Sequence, residues 1–218
     1  MTLLTPRKQP AQARSRATVA AILEGAAQVL ERQGIGDFTT NAIASQAGVS
    51  IGTLYQYYPD KNAVAAALSR QVRSGLLGRV ARAVDAAREA SLEEGARAII
   101  AAALEDDALR PRLARALDML EAHLPLQAEG GAIDSLLSGQ VARFLKIHFA
   151  DVADDVLEDM ADDVRAITGA LADAAGRRAS SLDGDLVERI ARSSLAVIEA
   201  HLTSLDLKGS RVARPPLW

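Results

Sequence analysis

The sequence predicts an all-α protein of about nine helices in two domains, a three-helix amino-terminal domain and a larger helical carboxy-terminal one. Three observations predict this. Alanine and leucine dominate while aromatic residues make up only 3% of the chain, a composition that favours helix. Apolar residues recur at three-and-four spacing, and no stretch alternates apolar and polar as a half-buried strand would. The 218 residues suffice for one small and one larger domain, each with a real core. The expected division is a flexible basic arm over 1–13, a head over 14–74, a second domain over 75–206 and a tail over 207–218.

The first 13 residues hold Pro6 and Pro10 beside Arg7 and Lys8, the composition of a mobile arm. Arg14–Gln33 reads as the first helix, with Val19, Ile22, Leu23, Ala26, Val29 and Leu30 as its buried stripe and Gly34 and Gly36 as its stop. Phe38 is an apolar anchor ahead of the second helix, Thr40–Ala47, which turns Ile43, Ala44 and Ala47 to one side. Gly48 follows at the point where a left-handed residue is cheapest. Val49 plugs the turn, and Ser50 can cap a short third helix. That helix ends at Tyr58, because Pro59 pushes the preceding residue out of the α region. Asp60 can cap the fourth helix, which starts near Lys61 and runs to about Ala90, with Gly75 and Gly78 expected to mark a bend.

Five more helices follow. They are Leu92–Glu105, Leu109–Leu124 with Pro111 tolerable in its first turn, Ile133–Phe149, Asp154–Gly176 and Asp183–Leu205. Pro125 should end the second of these, Gln127–Gly131 reads as a loop, and Arg177–Leu182 as a polar turn.

Helices two and three, joined at a glycine turn, form a helix-turn-helix pattern. Leu54 and Tyr58 should face inward, leaving Gly52, Thr53, Tyr55, Gln56 and Tyr57 towards solvent. Small, hydroxyl-bearing and aromatic groups at that density suit contact with a phosphate backbone and base edges. Lys61 is a misfit at a helix amino terminus, where a cation costs about 0.3–1 kcal/mol against the dipole. It makes sense if a phosphate binds there together with free N–H groups.

The stretch Thr39–Lys61, TTNAIASQAGVSIGTLYQYYPDK, closely resembles the DNA-binding signature of the TetR (tetracycline-repressor-like) family of bacterial transcription regulators, and the similarity runs from about Arg14 to Leu68. The resemblance implies a sequence-specific transcriptional regulator that binds a double-stranded operator as a homodimer. It implies two copies of Ser50–Tyr57, Ile51 included, in successive major grooves. Thr39, Thr40, Ser50, Tyr55, Tyr57 and Lys61 would hold phosphate, Gly52 would allow close backbone approach, and Thr53 and Gln56 would read bases. A repressor released by a small apolar effector is the leading expectation. A ligand-independent architectural DNA-binding protein is the alternative, and an all-helical enzyme a more distant one.

Charge agrees with this division. Through Gly75 there are eight basic and four acidic residues, against 17 and 24 in the remainder, so a basic first third precedes an acidic body. The absence of cysteine excludes a disulfide framework and thiolate metal sites and points to a reducing cytoplasm. No apolar run is long enough to span a bilayer. No His–Glu zinc pattern, phosphate-cradling glycine loop or GxSxG elbow is present, so no catalytic residue or cofactor is expected. The acidic run Asp151–Asp163 lacks a histidine at ligand spacing and reads as a solvated helix start, not a metal site.

In the second domain, Met119 and His123 lie one turn apart on one helix, and Phe144 and His148 one turn apart on the next, which makes them candidates to line an effector pocket. The last two helices are long and amphipathic. A four-helix bundle between two copies would use Ile167, Ala170, Leu171 and Ala174 with Leu195, Ile198 and Leu202.

Overall fold

The computed structural model describes residues 13–124, 127–177 and 184–207. Among them are nine α-helices and no strand: α1 (Ala13–Arg32), α2 (Thr40–Gln46), α3 (Ile51–Tyr57), α4 (Lys61–Ala86), α5 (Leu92–Leu109), α6 (Pro111–Glu121), α7 (Gln127–His148), α8 (Asp154–Arg177) and α9 (Gly184–Leu207). The fold is all-α, as expected. The basic arm, the turn at 178–183, Pro125 and the tail from residue 208 lie outside the described residues. No described helix is long and apolar enough to cross a membrane.

The helices gather into two compact units. The first comprises the described residues to Ser74 together with α6; the second comprises Gly75–Leu109 and the chain from Glu129 onward. In the first unit the stripe of α1 (Ile22, Ala26, Val29) packs with Phe38, Ile43, Leu54, Tyr58 and Val64. The turn between α2 and α3 is a Schellman motif. Gly48 sits at φ +67°. Its N–H donates to Ser45 O at 3.2 Å, and Val49 N–H donates to Ala44 O at 3.0 Å, so the last carbonyls of α2 are satisfied. Ser50 Oγ then accepts from Thr53 N at 3.0 Å to open α3. Asp60 Oδ1 accepts from Ala63 N at 2.8 Å to open α4. Tyr58 is extended, φ −128° and ψ 129°, as a residue before proline should be.

Gly25 has no side chain because none fits. A Cβ there would lie 2.8 Å from both the backbone N and the Cβ of Ala47, so α1 and α2 cross almost in backbone contact.

Chain order places α6 with the second domain, but its stripe Leu113, Ala116 and Leu117 is buried in the first unit's core. Arg110, just ahead of α6, forks onto α1. It donates from Nε and Nη2 to the Glu31 carboxylate at 2.6 and 2.8 Å, and from Nη1 and Nη2 to Glu24 at 3.2 and 3.3 Å. The Arg110 hydrogen bonds hold the Glu31 carboxyl below its ordinary value. An amphipathic stripe records that a helix has a buried face, not which core receives it.

The second unit packs α4 (Val80, Val84), α5 (Leu92, Ile99), α7 (Phe144, Leu145), α8 (Met160, Val164) and α9 (Ile198, Leu202) around one core. Ala175 near the end of α8 meets Leu186 and Ile190 near the start of α9, so this pair is antiparallel. α7 begins at Gln127, and the expected loop Gln127–Gly131 is its first turn. Two glycines there cost about 1 kcal/mol each relative to alanine, too little to stop the helix. Gly75 and Gly78 lie inside α4, which runs on through both.

Two glycines give a test of opposite sign. Gly25→Ala should lower stability by about 1–3 kcal/mol, because backbone must shift to admit the methyl. Gly139→Ala, in α7 with nothing within 4 Å of the added carbon, should raise it by up to about 1 kcal/mol through helix propensity. Urea unfolding of both variants checks the pair.

Candidate nucleic-acid interface and ligand cavity

α3 is only seven residues long, and its buried side is Leu54 with Tyr57; Tyr58 just beyond its end is buried as well. Tyr57, expected on the outward face, is therefore corrected: it is 7% exposed. Positions three and four beyond Leu54 share its side of a helix, so both tyrosines turn inward. Tyr55 stays outward at 43% exposed, and Ile51 is 38% exposed. Ser50, Gly52 and Gln56 are exposed beside them, Thr53 is half-buried, and Lys61 is exposed at the start of α4.

The remaining hydroxyls are tied together. Tyr55 Oη and Thr40 Oγ1 are hydrogen-bonded at 3.2 Å, which joins the outer face of α3 to the first turn of α2. Thr39 Oγ1 caps α2 by accepting from Ala42 N at 3.2 Å. Thr53 Oγ1 lies 2.8 Å from Ser50 Oγ. A Cβ on Gly52 would touch only Ser50 Oγ, at 3.8 Å, so this backbone is open to whatever approaches it.

The helix ends carry an electrostatic contrast. α2, α3 and α4 have no acidic residue in their first turn. α5, α8 and α9 have Glu93 with Glu94, Asp154 with Asp155, and Asp185. Acids in the first turn offset the positive helix end. α2 and α3 carry only neutral hydroxyl caps, Thr39 and Ser50, while α4 sets the exposed Lys61 beside its Asp60 cap. This arrangement suits oxyanions presented from outside.

The second unit contains a cavity of about 250 Å³. Its wall is mainly aliphatic, from Leu76 and Val80 of α4, Ile99 and Ala103 of α5, Leu137 and Phe144 of α7, Val164 of α8 and Ile198 of α9. Asp134, Arg165, Thr168, Asp173 and Ser194 supply its polar groups. Of the four residues expected in a pocket, Phe144 is in this wall. Its ring edge lies where a Cβ on Gly95 would come within 2.5 Å, so Gly95 makes the room for it. His148 stacks edge-on against Phe144, centroids 4.8 Å apart, and is not in the wall. Met119 is 62% exposed on α6 in the first unit. His123 is exposed too, donating from Nδ1 to the Met119 carbonyl at 2.8 Å. Both are corrected: one-turn spacing matched them as a pair, but their helix packs in the other core.

The expected pairing face is corrected in part. Ile198 and Leu202 are buried in their own chain's core, and Leu195 packs against the same cluster. Leu171 packs at the α8–α9 contact. Ile167 and Ala174 are half-buried, and Ala170 is exposed. α9 is apolar on more than one side, and sequence periodicity did not say which side the chain keeps for itself. The polar members of the cavity wall were also missed; a serine at 194 within the stripe Ile190, Ala191, Ile198 and Leu202 was the available signal.

The acids of α8 find local partners. Lys146 pairs with Asp154 at 2.8 Å, His201 with Asp163 at 2.9 Å, and Ser138 donates to Asp162.

A helix-turn-helix head with its outer face open and no acid in the first turns of α2, α3 and α4 defines a DNA-binding fold. Residues 22–68 match the family model for bacterial regulatory proteins of the tetR family. That match is carried by the head of the chain. Solved structures match it over most of their length. A TetR-family transcriptional regulator from Streptomyces coelicolor aligns at TM-score 0.63 and 20% identity, over 85% of this chain and 99% of that one. One from Marinobacter aquaeolei VT8 aligns at 0.59 and 20%, over 84% and 96%. The fatty acid degradation regulator FadR from Bacillus halodurans aligns at 0.59 and 18%, over 86% and 96%. At these identities the likeness establishes the fold. No curated protein matches the sequence.

His148 offers a pH test of the second unit. Its Nε2 is buried without a hydrogen bond, and desolvation holds the imidazole below its ordinary value. The folded state thus resists a proton that the unfolded chain accepts. Stability should be full above the ordinary imidazole range and fall as the pH drops through about 6.5. Urea midpoints between pH 8 and 5.5 should decline more for the wild type than for His148→Gln.

Proposed function

We propose that the chain is a sequence-specific transcriptional regulator, a dimeric repressor that leaves a palindromic operator when a small apolar molecule binds its second unit. The observation that carries the DNA part is the outer face of α3. Tyr55, Ser50, Gly52, Gln56 and Ile51 are open to solvent there, and the Tyr55–Thr40 hydrogen bond ties that face to α2. In this reading Thr39, Thr40, Ser50, Tyr55 and Lys61 hold phosphate, and Gly52 admits the backbone. Thr53 and Gln56 read bases. Tyr57 supports α3 from beneath.

The aliphatic cavity supports the effector part and favours it over a ligand-independent architectural role. Such a molecule must bind the conformer unfit for DNA more tightly than the fit one, since equal affinity shifts nothing. One α3 reads few bases, so twofold pairing doubles the contacts on a palindrome. With Ile198 and Leu202 engaged at home, pairing falls to exposed small residues of α8 and α9 such as Ala166, Gly169, Ala170, Ala196 and Ala200. Small residues let helices of two copies approach closely.

The wild type should retain a palindromic fragment from a genomic pool, with affinity falling steeply as salt rises. Tyr55→Ala, Lys61→Ala and Gly52→Leu should each weaken that binding about tenfold or more. Their melting temperatures should stay near wild type, because all three positions are exposed. Undiminished binding in all three would remove DNA from this face.

Pairing has its own readout. Sedimentation should show a dimer for the wild type and a monomer for the double variant Ala170→Arg/Ala200→Arg, with unchanged helix content. A dimer that survives both arginines would move the interface elsewhere.

A further inference from the structure

Ser194 is the odd group in the cavity wall. It stands in the apolar stripe of α9, 1% exposed, and its Oγ makes no hydrogen bond. A helical serine ordinarily has the carbonyl four residues back at hand. Its neighbour Ser193 uses that bond, Oγ to Arg189 O at 2.9 Å. Thr168, the other hydroxyl in the wall, does the same with Val164 O at 2.8 Å. Buried polar groups are almost always paired, and an unpaired one calls for an explanation.

The charged groups of the wall narrow that explanation. Among the described residues of the wall Arg165 is the only cation, and it is engaged: its Nη1 lies 3.7 Å from Asp134, and its Nε donates to Ser138 Oγ at 3.1 Å. The wall also holds the carboxylates of Asp134 and Asp173, and among its described residues no cation is left over for an anionic ligand. Asp173 is exposed, so its own charge is satisfied by water. A charged group carried into an aliphatic wall without a partner is strongly disfavoured. The volume of about 250 Å³ sets the size. It falls just below the ~300–1,000 Å³ of ordinary small-molecule pockets, so the occupant is small.

We infer that the cavity binds a small, uncharged, mainly apolar molecule whose single hydroxyl or carbonyl group hydrogen-bonds to Ser194 Oγ. The inference rests on reading the second unit as an effector domain, and it names the effector's chemistry. Ser194 is the polar anchor, and the aliphatic wall selects shape and length. The rim carboxylates turn fatty-acid-like anions away.

The test uses the full chain at pH 7.4 with four probes: 1-nonanol, menthol, nonanoate and nonylamine. Binding is read by thermal shift and calorimetry. At least one alcohol should raise the melting temperature with concentration, while nonanoate and nonylamine at the same concentrations should not. Ser194→Ala should weaken alcohol binding about tenfold, the worth of one hydrogen bond. The free variant should melt no lower than wild type, since it removes a hydroxyl that has no partner. Ala103→Phe, which fills the cavity, should abolish binding of every probe. Tighter binding of nonanoate or nonylamine than of both alcohols overturns the inference. So does silence from both alcohols, or unchanged affinity in Ser194→Ala. The broader reading fails separately. If an alcohol binds through Ser194 but leaves operator affinity untouched, the anchor stands and the regulatory role is lost. If another molecule releases DNA while both alcohols fail, the regulatory role stands and the anchor is lost.

Discussion

The crossing of α1 and α2 at Gly25 constrains all that the head presents. With Ala47 backbone 2.8 Å from where a Cβ would stand, α2 has no freedom to slide along α1 without losing contact or colliding. Ala47 is also the residue from which the Schellman turn departs. The positive φ of Gly48 and the bond from Val49 N–H to Ala44 O then fix the direction in which the chain leaves. Ser50 starts α3 two residues later. A seven-residue helix has little stability of its own, since isolated helices below about 12 residues are marginal in water. α3 therefore holds its place through caps at both ends and through Leu54, Tyr57 and Tyr58 beneath it. Its outer residues bury little apolar surface, so they can be polar, small or exposed at little cost to the fold.

The helix ends extend this argument from geometry to charge. A chain tuned only for stability would place Asp or Glu in the first turns of α2, α3 and α4, as this one does in α5, α8 and α9. The omission runs through the described helices of the first unit, α1 and α6 included. Each end without a first-turn acid forgoes about 0.3–1 kcal/mol at most, so the fold tolerates the loss easily. The gain comes only when a phosphate arrives. Lys61 fits the same account, and a purely structural account leaves it unexplained.

Much of this was legible before any coordinates. Gly48, Ser50, Pro59 and Asp60 act by rules local to two or three residues, so their roles could be read off the chain and the helix starts fell where those residues put them. What was not legible depended on choices that local rules leave open. Three tyrosines lie close together here, Tyr55, Tyr57 and Tyr58; spacing alone leaves Tyr57 and Tyr58 competing for the side of Leu54, and packing against the head's core takes both while Tyr55 stays outside. The stripe of α6 looks like any other, and its partner was disclosed by Arg110 reaching Glu31 and Glu24, more than 75 residues away in sequence. In the same way the Met119–His123 pair met the spacing rule and failed on location.

α8 and α9 show why an apolar helix face is an ambiguous signal and what resolves it. Between them they must close their own core, wall the cavity and still leave a surface for solvent or a second copy. The large residues Met160, Val164, Ile198 and Leu202 go to the core, where area burial is greatest. The apolar residues left exposed are small: Ala166, Gly169, Ala170, Ala196 and Ala200. The cavity takes neither kind alone. It is walled by large side chains that stop short of one another, because Gly95 draws Phe144 back towards α5 and Ser194 stands where an aliphatic residue would have reached in. A leucine at 194 would bury more area and leave no hydroxyl unpaired, so stability alone favours filling the space. A serine there keeps the space open and supplies its one unengaged hydrogen-bonding group among the described hydroxyls of the wall, which is the combination a selective binding site requires and a stable core does not.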